Sequence, residues 1–189
     1  ISSDGTELID STFPFDTGNQ IWGAISAADM DNDGLIDIAV VSKSKHFYLL
    51  DINGLKVDFD SGKYLLGTPA IGNLDDDDDL EVVIGGYSSP SSDNKIFVIN
   101  PDGTDMEGFP LILGEKVKAG IALADFNGNG KDDIVIGTDN DNLHLIYDDG
   151  EIASGFPFSV NDAIQASPSI MELNGEKIIL TGSNDDVFY

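Results

Sequence analysis

An all-β fold of repeated four-stranded units, a β-propeller, is what this sequence predicts, on three observations. An acidic nine-residue frame recurs at residues 29–37, 73–81 and 125–133, and a shortened copy begins near Glu172. The starts are 44, 52 and 47 residues apart, a spacing typical of propeller blades and solenoids. Each full frame runs directly into a short β-branched stretch, and each unit then ends in an Asp-Gly or Asn-Gly turn. Such apolar runs read as strands buried on both faces, and such turns read as hairpins because Gly accepts positive φ.

The elements follow in one order. A strand of mostly small residues opens each unit: Ala24-Ile25-Ser26-Ala27, Pro69-Ala70-Ile71-Gly72, Ile121-Ala122-Leu123-Ala124 and Pro168-Ser169-Ile170. The acidic loop leads to the second strand, Ile38-Ala39-Val40-Val41, Val82-Val83-Ile84-Gly85 or Ile134-Val135-Ile136-Gly137. A polar connection of variable length comes next, longest at residues 87–94. The third strand is Phe47-Tyr48-Leu49-Leu50, Ile96-Phe97-Val98-Ile99 or Leu143-His144-Leu145-Ile146. A weak outer strand after the Asp-Gly turn completes the blade. Residues 21–65, 66–116 and 117–163 are thus complete repeats, residues 1–20 supply an outer strand, and residues 164–189 supply the inner strands of a last blade. Ile1-Ser2-Ser3-Asp4-Gly5-Thr6 matches Ile99-Asn100-Pro101-Asp102-Gly103-Thr104, and Asp186-Val187-Phe188-Tyr189 matches Asn142-Leu143-His144-Leu145. The chain therefore holds about four blades' worth, either a closed four-bladed ring or part of a larger propeller. A β-solenoid is the structural rival, but its coils are usually much shorter.

Within the acidic frame, positions 1, 3, 5 and 9 carry Asp, Asn or Glu every time. They are Asp29, Asp31, Asp33 and Asp37; Asn73, Asp75, Asp77 and Glu81; and Asp125, Asn127, Asn129 and Asp133. Oxygen ligands on alternate residues of a tight loop suit a hard cation that takes six to eight oxygens, which is Ca²⁺. The seventh residues, Leu35, Asp79 and Lys131, are expected to add a backbone carbonyl. The loops are not EF-hands, because position 12 is Val40, Ile84 or Ile136 and a strand follows instead of a helix. Position 9 must close the site. Carboxylate counts of four, three and two predict three calcium sites, the third weakest. Asp78 stands where the other loops have Gly34 and Gly130, and Asp tolerates a left-handed backbone better than most residues. The fourth copy has lost loop residues and is expected to hold no metal.

These loop-plus-strand patterns, above all residues 28–40 and 124–137, resemble the FG-GAP/VCBS repeats of integrin-α-like propellers. That resemblance implies calcium on one face of the disc and roles in adhesion, sugar binding or extracellular scaffolding. It also implies that some relatives are attached to lyases or hydrolases, and that complete propellers commonly have more blades than are seen here.

Composition narrows the partners. Nine Lys and no Arg stand against 35 acids, for a formal net charge of −26, and three calcium ions would bring it only to −20. Nucleic acid and anionic lipid surfaces are poor partners for such a surface. No apolar run is long enough to span a membrane. The absence of Cys excludes disulfides and thiolate chemistry, and none of the Asn residues lies in an Asn-x-Ser/Thr sequon, which leans towards a prokaryotic source. His46 and His144 have no partner at ligand or triad spacing and read as ordinary strand residues.

Trp22, the only Trp, precedes Asp29 by seven residues, and Leu66, Lys118 and Gln165 share that offset. These positions are expected to lie on the face opposite the metal loops, where an exposed ring can stack on a sugar. The alternative is that Trp22 packs between blades. The functional expectation is a non-catalytic, secreted or cell-surface module that binds a protein or glycan and sits beside further blades or domains of the same parent protein. The alternatives are the propeller body of a secreted polysaccharide-degrading enzyme and a purely structural segment of a surface protein or filament. Fold alone does not choose among them.

Overall fold

The computed structural model describes residues 1–6 and 12–189. Among these residues there is no helix. The first blade is an antiparallel meander of β1 (Ser26–Ala28), β2 (Asp37–Val41), β3 (His46–Asp51) and β4 (Gly54–Asp60). In the second, β5 (Tyr64–Leu65) and β6 (Ala70–Gly72) both pair with the long β7 (Glu81–Tyr87), which is followed by β8 (Lys95–Ile99) and β9 (Leu111–Ile112). The third comprises β10 (Ala122–Ala124), β11 (Asp133–Gly137), β12 (Asn142–Ile146) and β13 (Phe158–Ser159). The fourth has two strands, β14 (Ser169–Leu173) and β15 (Glu176–Leu180), with a further bridge between Gly182 and Phe188. Inner strands neighbour one another in the order β1, β6, β10, β14. This is the all-β propeller architecture that the repeats predicted.

Alternation along the strands explains how the blades stack. Successive side chains point to opposite faces. Ala39, Phe47 and Leu49 of the first blade therefore meet Val82, Ile84, Phe97 and Ile99 of the second. From the second blade's other face, Val83, Ile96 and Val98 meet Ile134, Ile136 and Ile146 of the third. Val135, Leu143 and Leu145 then face Ile170 and Ile179. Each second strand is covered on both sides, which is why it is β-branched without polar alternation. The outer strands β9 and β13 are two residues long, whereas β4 of the first blade has seven and pairs along its length with β3.

Two details differ from the sequence reading. Gly182 pairs with Phe188 as Gly137 pairs with Leu143, and Asp186 shares the positive φ of Asp141. The C-terminal match is thus shifted by one residue, with Asp186 in the place of Asp141 and not of Asn142. The turn at Ser2 to Thr6 repeats the hydrogen bonds of the turn at Asn100 to Thr104. Part of the expected N-terminal outer strand lies outside the described residues, and residues 12–20 contain no strand.

The meander fixes which loops share a face. Connections from first to second strand, which carry the acidic frames, and from third to fourth strand lie at one end of every blade. The 87–94 connection joins second to third strand and so lies on the opposite face, together with the segments that precede β1, β6 and β10.

Candidate metal loops and the opposite face

Position 9 ties the end of each loop back to its start. Asp37, Glu81 and Asp133 are the first residues of their second strands and are fully or almost fully buried. Each carboxylate accepts the backbone N–H of position 2: Met30 at 3.1 Å, Leu74 at 2.7 Å and Phe126 at 2.7 Å. The position-2 side chains of Met30 and Leu74 are themselves wholly buried, so each loop is riveted at both ends. Position 5 then accepts from the N–H of position 7: Asp33 from Leu35 at 2.7 Å, Asp77 from Asp79 at 2.8 Å, Asn129 from Lys131 at 2.9 Å. Adjacent loops also touch. Asn32 Nδ2 donates to the Asp78 carbonyl at 2.6 Å, and the Asp132 N–H donates to the Asn73 carbonyl at 2.7 Å.

The second loop takes a different backbone route. Gly34 and Gly130 have φ of 86° and 91°, whereas Asp78 has no positive φ, contrary to the expectation that Asp there would mimic Gly. The loop still brings oxygens of Asp75, Asp77 and Glu81 within 4.8 Å of one another. Glu81 Oε1 and Asn73 Oδ1 are buried and have no hydrogen-bond partner. Burial pushes the Glu81 carboxyl up to about 7, and the neighbouring Asp75 and Asp77 charges add to the shift. A buried acceptor without a donor costs free energy unless something positive meets it. The donor set of loop two therefore fits a hard cation, which would bind carboxylate oxygen, neutralise the mutual repulsion and pin the loop ends.

The first loop groups Asp29, Asp31 and Asp33 within 4.8 Å, with Asp29 Oδ1 and Asp31 Oδ1 buried and unpartnered. It also contains a cation that the sequence reading missed. Lys56 on β4 places Nζ 2.7 Å from Asp31 Oδ2 and 2.7 Å from the buried Asp37 Oδ1. The hydrogen bond from Lys56 holds the Asp31 carboxyl below its usual range. Burial draws the Lys56 ammonium down, but its bonds to Asp31 and Asp37 outweigh this and raise it. Strand register puts Asp105 and Ile152 at the matching places in the next two blades, so the lysine belongs to the first loop alone.

In the third loop, Asp125 accepts the N–H groups of Gly128 at 2.6 Å and Gly130 at 3.0 Å, while burial raises Asp133. A further carboxylate arrives from the turn after β12. Asp148 accepts from Asn129 Nδ2 at 2.8 Å and from Asn127 Nδ2 at 3.5 Å, and lies 3.4 Å from Lys131 Nζ. The matching positions are Ile52 and Pro101, so this acid was legible only as part of a turn. None of the buried orphan oxygens among the described residues belongs to loop three. In the fourth blade, Asn174 and Gly175, with φ of 55° and 84°, make a tight turn in place of the loop.

On the opposite face, Trp22 and its sequence mates do converge. Trp22, Leu66 and Lys118 line one cavity of about 480 Å³, together with Asn19, Lys43, Tyr64 and Tyr87, and Lys118 Nζ donates to Gln165 Oε1 at 3.1 Å. Trp22 is 55% exposed and does not pack between blades. His144 is buried against Glu115, with Nε2 3.2 Å from Oε2, and is a structural residue of β12.

Stacked four-stranded meanders around β1, β6, β10 and β14, with a loop at one end of each complete blade, define a β-propeller. Residues 119–154 match the FG-GAP repeat family, so the third blade carries an FG-GAP repeat. No curated protein matches the chain. Among solved structures, BBS1N, crystallised in complex with ARL6DN, superposes with a TM-score of 0.61 at 12% identity over 88% of this chain. The computationally designed Ika4 protein gives 0.60 at 17% identity over 98% of this chain and 96% of its own length. The C-terminal domain of Pseudomonas aeruginosa PilY1 gives 0.59 at 17% identity over 86% of this chain. The chain spans about half of BBS1N (49%) and of the PilY1 domain (45%). At these identities the likeness is one of fold.

Proposed function

We propose that the chain is a calcium-binding propeller module, secreted or at the cell surface, which recognises a protein or glycan without catalysing a reaction. The observation that carries the calcium reading is Glu81: a buried carboxylate with an unpartnered oxygen, aimed at two further carboxylates in a riveted loop. The orphan oxygens of Asp29 and Asp31 support the same reading for loop one, and the lack of buried orphan oxygens in loop three among the described residues fits the weakest site. Extracellular modules need only ~10⁻⁴–10⁻³ M affinity for calcium. The role of the ion is structural: it would hold the loops on one face of the disc, where neighbouring blades touch.

Calorimetric calcium titration of the chelator-treated protein tests this. Binding heat is expected, with one site lost in Glu81→Gln. Calcium at a hundredfold excess over Kd should stabilise the fold by about 2.7 kcal/mol per site. Chelator should lower the melting temperature accordingly. No binding heat and an unchanged melting curve would overturn the calcium reading.

A further inference from the structure

We propose that the cavity on the face opposite the metal loops binds an oligosaccharide bearing carboxylates, a uronic-acid chain. This deepens the recognition reading above and rests on it.

Charge is the first argument. In a chain of net charge −26 with nine lysines, Lys43, Lys45, Lys116 and Lys118 gather at or beside one cavity. Among the described residues, none of the four forms an ion pair with a carboxylate, although acids outnumber lysines almost fourfold. Three of the ammonium groups rest on rings instead, and Lys43 and Lys118 donate to the neutral amide oxygens of Gln20 and Gln165. Lys43 Nζ lies 4.5 Å from the Trp22 ring centre, Lys45 Nζ 5.5 Å from that of Tyr64, and Lys116 Nζ 5.5 Å from that of Tyr87. Of the nearby acids, Asp93 pairs with Lys63, while Asp139 accepts from Gln165 Nε2 at 2.8 Å and also interacts with the Tyr87 hydroxyl, so it keeps its charge beside the cavity. Four cations without a carboxylate partner outweigh Asp139 there and attract an anionic ligand on an otherwise acidic surface.

Shape and aromatic content are the second argument. A volume of about 480 Å³ falls in the range of ligand pockets, about 300–1,000 Å³. The three rings that line it, Trp22, Tyr64 and Tyr87, offer flat apolar faces with polar edges, suited to the C–H faces of a pyranose. Lys43 and Lys118 both line the cavity, so carboxylates on successive sugar rings would each meet an ammonium. Neutral glycans would leave the lysine charges uncompensated, and an acidic peptide lacks the C–H face of a pyranose to lay on the rings.

Trp22 is the only Trp, so its fluorescence reports the site directly. The probe is trigalacturonate, too short to gel with calcium, titrated into the calcium-loaded protein. A saturable fluorescence change is expected, confirmed by calorimetry and weakened by added salt. Lys43→Gln/Lys118→Gln should weaken binding by at least tenfold, and Trp22→Ala, read by calorimetry, by about tenfold. Both variants alter exposed or half-buried side chains, and a melting curve matching the parent's shows that they fold. Equal binding of galactotriose would overturn the charge argument, and with it the proposal. Equal or tighter binding of tetraglutamate would make the occupant an acidic peptide and overturn it too. Absence of any response to trigalacturonate would do the same while leaving the calcium reading intact, because calcium heats are measured on the same preparation and depend on the opposite face.

Discussion

Replacing Lys56 with Met should tighten calcium binding at the first loop and weaken the metal-free protein. The ammonium makes two charge-assisted hydrogen bonds of 2.7 Å, to Asp31 and to the buried Asp37. An entering cation needs those oxygens, so the lysine must leave them. Hydrogen bonds to charged groups are each worth roughly 1.5–3 kcal/mol. The Lys56 side chain keeps 21% of its surface in water and rehydrates readily, which argues for the lower end, or about 3 kcal/mol for the pair. At about 1.4 kcal/mol per factor of ten, the gain is about a hundredfold in calcium affinity. The assay is calorimetric titration in a Glu81→Gln/Asp125→Asn background, which leaves loop one to report alone. Without calcium the same substitution leaves Asp29, Asp31, Asp33 and Asp37 to repel one another, so the melting temperature should fall. Lys56→Arg keeps a competing cation and should show no gain. If Lys56→Met folds yet binds calcium no more tightly than its parent, the lysine is not a competitor and the reasoning fails.

Two other outcomes follow from the same geometry. Glu81 has a folded pKa raised to about 7 from an ordinary 4.5, so its contribution to stability is present below about 4.5 and lost as pH rises through 7. The metal-free protein should therefore resist urea better at about pH 5.5 than at about pH 7.5, and Glu81→Gln should flatten that slope. Calcium binding, which needs the carboxylate, should weaken over the same window as pH falls. Separately, a Cβ at Gly67 would sit 2.1 Å from the Ala119 carbonyl oxygen, where the second and third blades meet. Gly67→Ala should cost about 1–3 kcal/mol of stability in urea unfolding, since backbone cannot step aside.

What the sequence determined by itself was everything set by short-range spacing. The acidic frame, the β-branched strand after it and the Asp-Gly turn lie within a few residues of one another, so their chemistry can be read directly. Asp37, Glu81 and Asp133 were legible as the closing residues because position 9 is also the first residue of a buried strand. The offset of Trp22, Leu66 and Lys118 marked one wall of the cavity, since equivalent positions in a radial repeat meet near its axis. Only the tertiary structure decided the rest. Lys56 reaches Asp31 from 25 residues away across β4, and Asp148 reaches loop three across a turn, through register and twist that no spacing encodes. Asp78 was misjudged for a related reason: its backbone follows the contacts between neighbouring loops, not the preference that Gly shows in the other two copies. Tyr64, Tyr87 and Lys43 joined the cavity because blade packing brings unlike segments to one rim. Local pattern sets which atoms are offered; the stacking of blades sets which of them meet.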